Sequence, residues 1–251
     1  LVHISIYLFT FNSYGQQWVD VFPEFNTGVR EFGIYQDKLI MSGAYTDERL
    51  ISWDGEKIDT IPYGGDNVFP QSFFEKDGLL YVGGNFNDIL EVPYTGALAL
   101  WDGSDWSGIT NVWSDGEVQA ITEYQGEIYV AGQFHDMGGV AARNIVKWNG
   151  NSFEPVGDGL YGGVSEVRSL EVFQDKLYAG GRFIGNSDTN AYNIASWNGN
   201  KWTPLISVTS STVYCLYNDI VSDLLVVGGS FTNVAGISTS AIATWDGQNW
   251  D

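Results

Sequence analysis

The sequence predicts an all-β fold, a β-propeller of about five four-stranded antiparallel blades, and three observations carry that expectation. A Trp followed by Asp-Gly or Asn-Gly recurs at Trp53, Trp101, Trp148, Trp197 and Trp245, at spacings of 48, 47, 49 and 48 residues. A period near fifty marks one supersecondary unit copied in tandem. Each copy holds short runs rich in Val, Ile, Tyr and Phe between Gly, Asp and Asn turn signals, which is the composition of strands. No window keeps apolar residues at helical spacing for three turns, and 31 glycines in 251 residues disfavour long helices.

The third copy shows the unit most completely. Its first strand is read from Val118-Gln119-Ala120-Ile121, its second from Glu127 to Phe134, and its third from Asn144-Ile145-Val146-Lys147-Trp148. The first two are joined by a turn at Gln125-Gly126, matched elsewhere by Gln36-Asp37-Lys38, Asp77-Gly78, Gln174-Asp175-Lys176 and Ser222-Asp223. The second strand ends in a glycine pair or its near equivalent: Ser42-Gly43, Gly83-Gly84, Ala131-Gly132, Gly180-Gly181 and Gly228-Gly229. An aromatic follows two positions on, at Tyr45, Phe86, Phe134, Phe183 and Phe231. The Asp-Gly and Asn-Gly dipeptides supply the positive φ of a hairpin into a fourth strand, marked by Ile58, Trp106, Phe153, Trp202 and Trp250.

A four-stranded sheet of this size cannot bury both faces alone, so successive sheets stack, and radial stacking makes a propeller. Stacking predicts that Trp101, Trp148 and Trp197 are buried between blades, and that the glycine pairs sit where a strand closes against a neighbour. The double glycine ending the second strand and the Trp ending the third resemble the kelch group of propellers. The pattern is more similar still to secreted Bacteroidetes-type repeat proteins and to the fungal cortical polarity marker family, over about residues 17 to 250. The resemblance implies architecture rather than activity, because such folds host many functions.

Residues 1 to 15 read as the remnant of a signal peptide: an apolar run through Phe11, too short to span a bilayer, then small residues before a cleavage point after Gly15. Residues 16 to 251 are then the propeller, divided at about 17–58, 59–106, 107–153, 154–202 and 203–251. Both ends offer a fourth-strand pattern, Gln17 to Val21 and Trp250-Asp251, so the expectation is a piece of a larger propeller. A net charge of −20 repels nucleic acid and anionic membrane, and fits a secreted or cell-surface, monomeric molecule. The single cysteine, Cys215, lies in a strand-like run and reads as a core thiol, with no disulfide framework.

Residues for catalysis are sparse. One of two histidines lies in the leader, and the other, His135 beside Asp136, has no third metal ligand nearby, so a solvated loop is expected and no metal or cofactor is assigned. The runs Asn85-Phe86-Asn87-Asp88 and Gly185 to Asn190 alternate oxygen-bearing residues but lack the closing glutamate of a calcium loop. In a meander the long second-to-third and fourth-to-first connections share one end of every blade, where binding tends to reside. The same end collects aromatics that the repeat does not require, Phe25, Tyr63, Trp113 and Tyr161, with Asp66, Asp115 and Asp158 nearby. The expectation is a non-catalytic extracellular binding or adhesion module with a glycan or protein ligand on that face. The alternative is a secreted carbohydrate-active hydrolase using a carboxylate pair there.

Overall fold

The computed structural model describes residues 7–12, 15–20, 29–43, 50–64, 68–93, 95–109, 114–162, 165–184, 193–205 and 211–251, the first two segments as backbone. Among them the chain is all-β and forms a propeller-like arrangement of five small antiparallel sheets. Blade I comprises Val29–Tyr35, Lys38–Gly43, Leu50–Trp53 and Ile58–Ile61. Blade II comprises Phe69–Lys76, Leu79–Asn85, Leu98–Trp101 and Trp106–Gly108. Blade III runs Glu117–Tyr124, Glu127–Gln133, Ile145–Trp148 and Phe153–Pro155, and blade IV Glu166–Phe173, Lys176–Arg182, Ile194–Trp197 and Trp202–Pro204. Blade V has Val213–Asp219, Leu224–Gly229 and Ile242–Trp245, with Trp250 bridging back to Trp245. Tyr7–Asn12 pairs with Gly15–Asp20.

First strands of successive blades pack side by side from I to V and so line the axis; among the described residues no comparable contact joins V back to I. Each seam buries apolar faces from two blades. Between III and IV, Ala120, Tyr129, Ala131 and Ile145 meet Val167, Leu170, Leu177 and Ala179 in one cluster. At the far end of the first three seams a residue closing one first strand reaches the next blade's turn: Tyr35 donates to Gly78 O (2.9 Å), Lys76 to Gly126 O (3.0 Å) and Tyr124 to Asp175 O (3.0 Å).

The two hairpin classes differ in mechanism. In blades I to IV first and second strands join through two-residue turns whose central residues both have positive φ, 49° and 62° at Gln36 and Asp37 and 52° and 84° at Gln125 and Gly126, the twist-matched type, while blade V uses a longer turn between Asp219 and Leu224. The Trp-Asp/Asn-Gly turns are longer. Only the glycine takes positive φ, from 92° to 102° at Gly55, Gly103, Gly150, Gly199 and Gly247. The Asp or Asn works instead through its side chain, accepting backbone N–H groups two and three residues on, at 2.8 and 2.8 Å for Asp102 and 3.0 and 3.0 Å for Asn198.

Two packing expectations need correction. Trp101 and Trp197 are buried, both 6% exposed, whereas Trp148 is only partly buried against its seam. Cys215 is exposed rather than a core thiol. It occupies the register position of Ala120, beside a bulge, on the face of the first strand turned away from the preceding blade, and in blade V no described element covers that face.

Candidate functional site

The loop-bearing end is organised by a β-bulge repeated in every blade. The pairing of first and second strands skips one residue near the start of the first strand, and the skipped residues are Arg30, Gln71, Gln119, Arg168 and Tyr214. A bulge re-aims its side chain out of the ladder. All five are long groups able to hydrogen bond or stack, and Arg30, Gln71, Arg168 and Tyr214 knit neighbouring blades at the axial rim, while Gln119 bonds Glu117 of its own blade. The Arg30 guanidinium lies 6.0 Å from the Phe69 ring centroid, Gln71 Nε2 donates to Glu117 Oε2 (2.9 Å), and Arg168 lies 5.3 Å from the Tyr214 centroid while pairing with Glu166 at 2.8 Å. Sequence reading missed this rim. Its signal is a polar or aromatic residue one place after a recurring Val or Pro, which strand alternation alone treats as an ordinary surface position.

Outside the rim, a groove of about 840 Å³ opens between blades II and III. Asp88, Asp115 and Glu117 supply carboxylates, Asn85 and Gln133 amides, and His135 stands at its edge. Glu117 is held by Gln71, by Asn85 Nδ2 (3.4 Å) and by Gln119 Nε2. Asp115 accepts the backbone N–H of His135 (2.7 Å) and of Asp136 (3.0 Å), and its second oxygen lies 3.4 Å from His135 Nδ1. Burial raises the Asp115 carboxyl pKa, but the two N–H donors and the imidazole outweigh it and hold the group below its ordinary value. The His135 side chain is 88% exposed, as expected of a solvated loop.

One device recurs in the loops of blades III and IV. Asn144 and Asn193, each just before a third strand, adopt positive φ of 74° and 65°. Each accepts a backbone N–H from the aromatic after the glycine pair, Phe134 or Phe183 (both 3.1 Å). Their amides then donate onward, Asn144 to Leu160 O (2.6 Å) and Ser165 Oγ (2.8 Å), Asn193 to Ser211 O (2.9 Å). A single buried amide therefore ties a second-to-third loop to the fourth-to-first loop of its blade.

The seven residues singled out from sequence fare differently. Phe25, Asp66 and Trp113 lie outside the described residues. Tyr63 is 5% exposed and packs in the seam of blades I and II, so it is core and not an exposed ring member. The physical reason is that, two residues past the end of the fourth strand of blade I, Tyr63 joins the apolar cluster that holds Val68 and Ile89. Tyr161 is half-buried under the Arg143 guanidinium, 4.6 Å from its centroid, and Asp158 is exposed on the turn between Gly157 and Gly159. Of the four that are described, Asp115 alone lines the groove. Among the described residues no group of three or more His, Cys, Asp or Glu has metal-binding geometry, and no helix is long and apolar enough to cross a membrane.

No family model matches the chain, and no curated protein matches it. Solved structures do. The chain is similar to the extracellular domain of BT4673 from B. thetaiotaomicron, described as a one component system in one structure and a hybrid two component system in another. The TM-score is 0.60 in both, at 12% and 13% identity, covering 96% and 95% of this chain. The chain spans 30% of the length of each of these structures. At that identity the likeness establishes a shared fold, and the kelch and cortical-marker resemblances rest on the repeat pattern alone.

Proposed function

We propose that the protein is an extracellular binding module that presents the loop-bearing end to a glycan or protein ligand, with residues 1–15 as its export leader. The observation that carries this reading is the groove between blades II and III, a concave, carboxylate- and amide-lined space at the loop-bearing end. Its lining and the net charge of −20 disfavour anionic ligands and favour neutral sugars or cationic peptide segments. The extracellular domains that share the fold are consistent with this location. Asp115 itself is occupied with loop backbone and its pKa is held below the ordinary value, which does not suit it to the acid role of a hydrolase.

The test is binding to glycan and peptide arrays by wild type, by Trp113→Ala and by the double variant Asp88→Ala/His135→Ala. A ligand retained by wild type and lost from the double variant supports the groove, and loss from Trp113→Ala extends the site to the neighbouring loop. Binding that survives both variants sinks the reading.

A further inference from the structure

A second concave site lies on the outer wall, away from the loop-bearing groove, where the seam between blades IV and V differs from the seam between III and IV. In the latter, Lys147 on the third strand of blade III fills the outer seam, paired with Glu127 (2.9 Å) and with Glu154 (3.2 Å) on the fourth strand. The strand registers place Ser196 and Thr203 of blade IV where Lys147 and Glu154 stand, and Lys176 where Glu127 stands. Two long charged side chains are thus replaced by two short hydroxyl-bearing ones. Along this seam, bordered by those shorter side chains and by blade V, lies a groove of about 500 Å³.

Its walls are aromatic. Trp245 and Trp250 form a tilted pair 5.1 Å apart, and Tyr178 and Leu205 complete the apolar surface. The equivalent Trp202 is 2% exposed and donates its indole N–H to Val156 O (3.1 Å), whereas Trp250 is only partly buried and lines the groove. Thr203, Ser196 and Gln248 add hydroxyl and amide groups, and Lys176 one ammonium. Apolar aromatic walls with a few convergent hydrogen-bonding groups match a pyranose ring, whose C–H face stacks on indole while its hydroxyls meet the polar rim.

We propose that this groove is a subsite for a neutral, pyranose-based oligosaccharide, independent of the loop-end site. Cellohexaose and mannohexaose are suitable probes, followed by calorimetry and by quenching of intrinsic tryptophan fluorescence. The decisive variant is Ser196→Lys/Thr203→Glu, which introduces the neighbouring seam's Lys147–Glu154 pair and narrows the groove at its blade IV wall while leaving its aromatic residues in place. Binding of either hexaose to wild type, weakened about tenfold or more in that variant and unchanged in Asp88→Ala/His135→Ala, is the expected result, a loss of about 1.4 kcal/mol. If that variant does not fold, Gln248→Ala on the exposed turn takes its place, with weakened binding expected. No binding of either hexaose to wild type at millimolar concentration, or equal binding by the narrowed variant, overturns the proposal. Loss of binding only in Asp88→Ala/His135→Ala would also overturn it and assign the sugar to the loop end.

Discussion

At the scale of single residues, the turn carboxylates do their work through hydrogen bonds, and that gives them a pH signature. Asp54, Asp102 and Asp246 each accept backbone N–H groups from the two residues that complete the turn, which holds their pKa below the ordinary value. A lowered folded-state pKa contributes stability that is present above the unfolded value of about 4 and is lost as pH falls through the folded value. Blades III and IV use Asn149 and Asn198 in the same role, so Asp54→Asn/Asp102→Asn/Asp246→Asn keeps the turn and removes the titration. Denaturant melts from pH 7 to pH 2 are expected to show wild type losing its advantage over this variant below about pH 4. The residue before each third strand supplies a second case. Ala241 holds a positive φ of 69° where Asn144 and Asn193 sit in blades III and IV. Left-handed backbone is costly for Ala and tolerated by Asn, so Ala241→Asn should stabilise by about 1 kcal/mol in chemical denaturation. The converse change, Asn144→Ala, adds that strain and abandons buried hydrogen bonds, and should cost about 2 kcal/mol or more.

At the scale of elements, the second glycine of each pair is explained by the bulge opposite it. A Cβ on Gly132 would meet Glu117 O, on Gly181 Glu166 O, and on Gly84 Phe69 O, all carbonyls of the same blade's first strand. The first glycine of the pair serves the seam, since a Cβ on Gly83 would meet Val118 of the next blade and one on Gly180 would meet Val213. Both glycine positions were legible in the sequence as places of close approach, but the bulge that makes the second one obligatory depends on strand pairing. Gly132→Ala should therefore destabilise by about 1–3 kcal/mol through overpacking, read as a shift in the urea midpoint. The tryptophans sort by seam in the same way. Trp197→Ala empties a closed contact with Trp202 and is expected to cost about 3–5 kcal/mol, whereas Trp148→Ala, at a partly open seam, should cost clearly less. Equal losses in the two variants would show that partial exposure of Trp148 does not persist in solution.

At the scale of the whole molecule, five blades packed in sequence leave one sheet face of blade V without a described neighbour. Tyr217 and Ile242 are 63% and 61% exposed there, while Ile145 and Ile194, at the register position of Ile242 in earlier blades, are 0% exposed. Cys215 shares that face, so a thiol reagent such as Ellman's compound should modify it fully in the native protein at a rate that denaturant barely changes. Slow modification that accelerates on unfolding would mean that the face is covered in solution. Far-ultraviolet circular dichroism is expected to show β structure with no appreciable helix.

The repeat period, the strand composition and the turn dipeptides determined the all-β propeller architecture and the strand order within each blade, because those properties depend on residues near one another in the chain. The same local logic marked the loop-bearing end. What the tertiary structure alone decided is how far each repeated position is covered. Trp148 and Trp197 occupy equal places in the pattern and differ in burial because their seams differ, and Ile145 and Ile242 differ because blade IV covers the first and no described element covers the second. Tyr63 looked surplus to the repeat and proved to be core, and Cys215 looked like core and proved exposed. The bulge rim and both grooves likewise arise from side chains of adjacent blades about 48 residues apart, so their shapes follow from packing between copies, which the pattern within one copy does not contain.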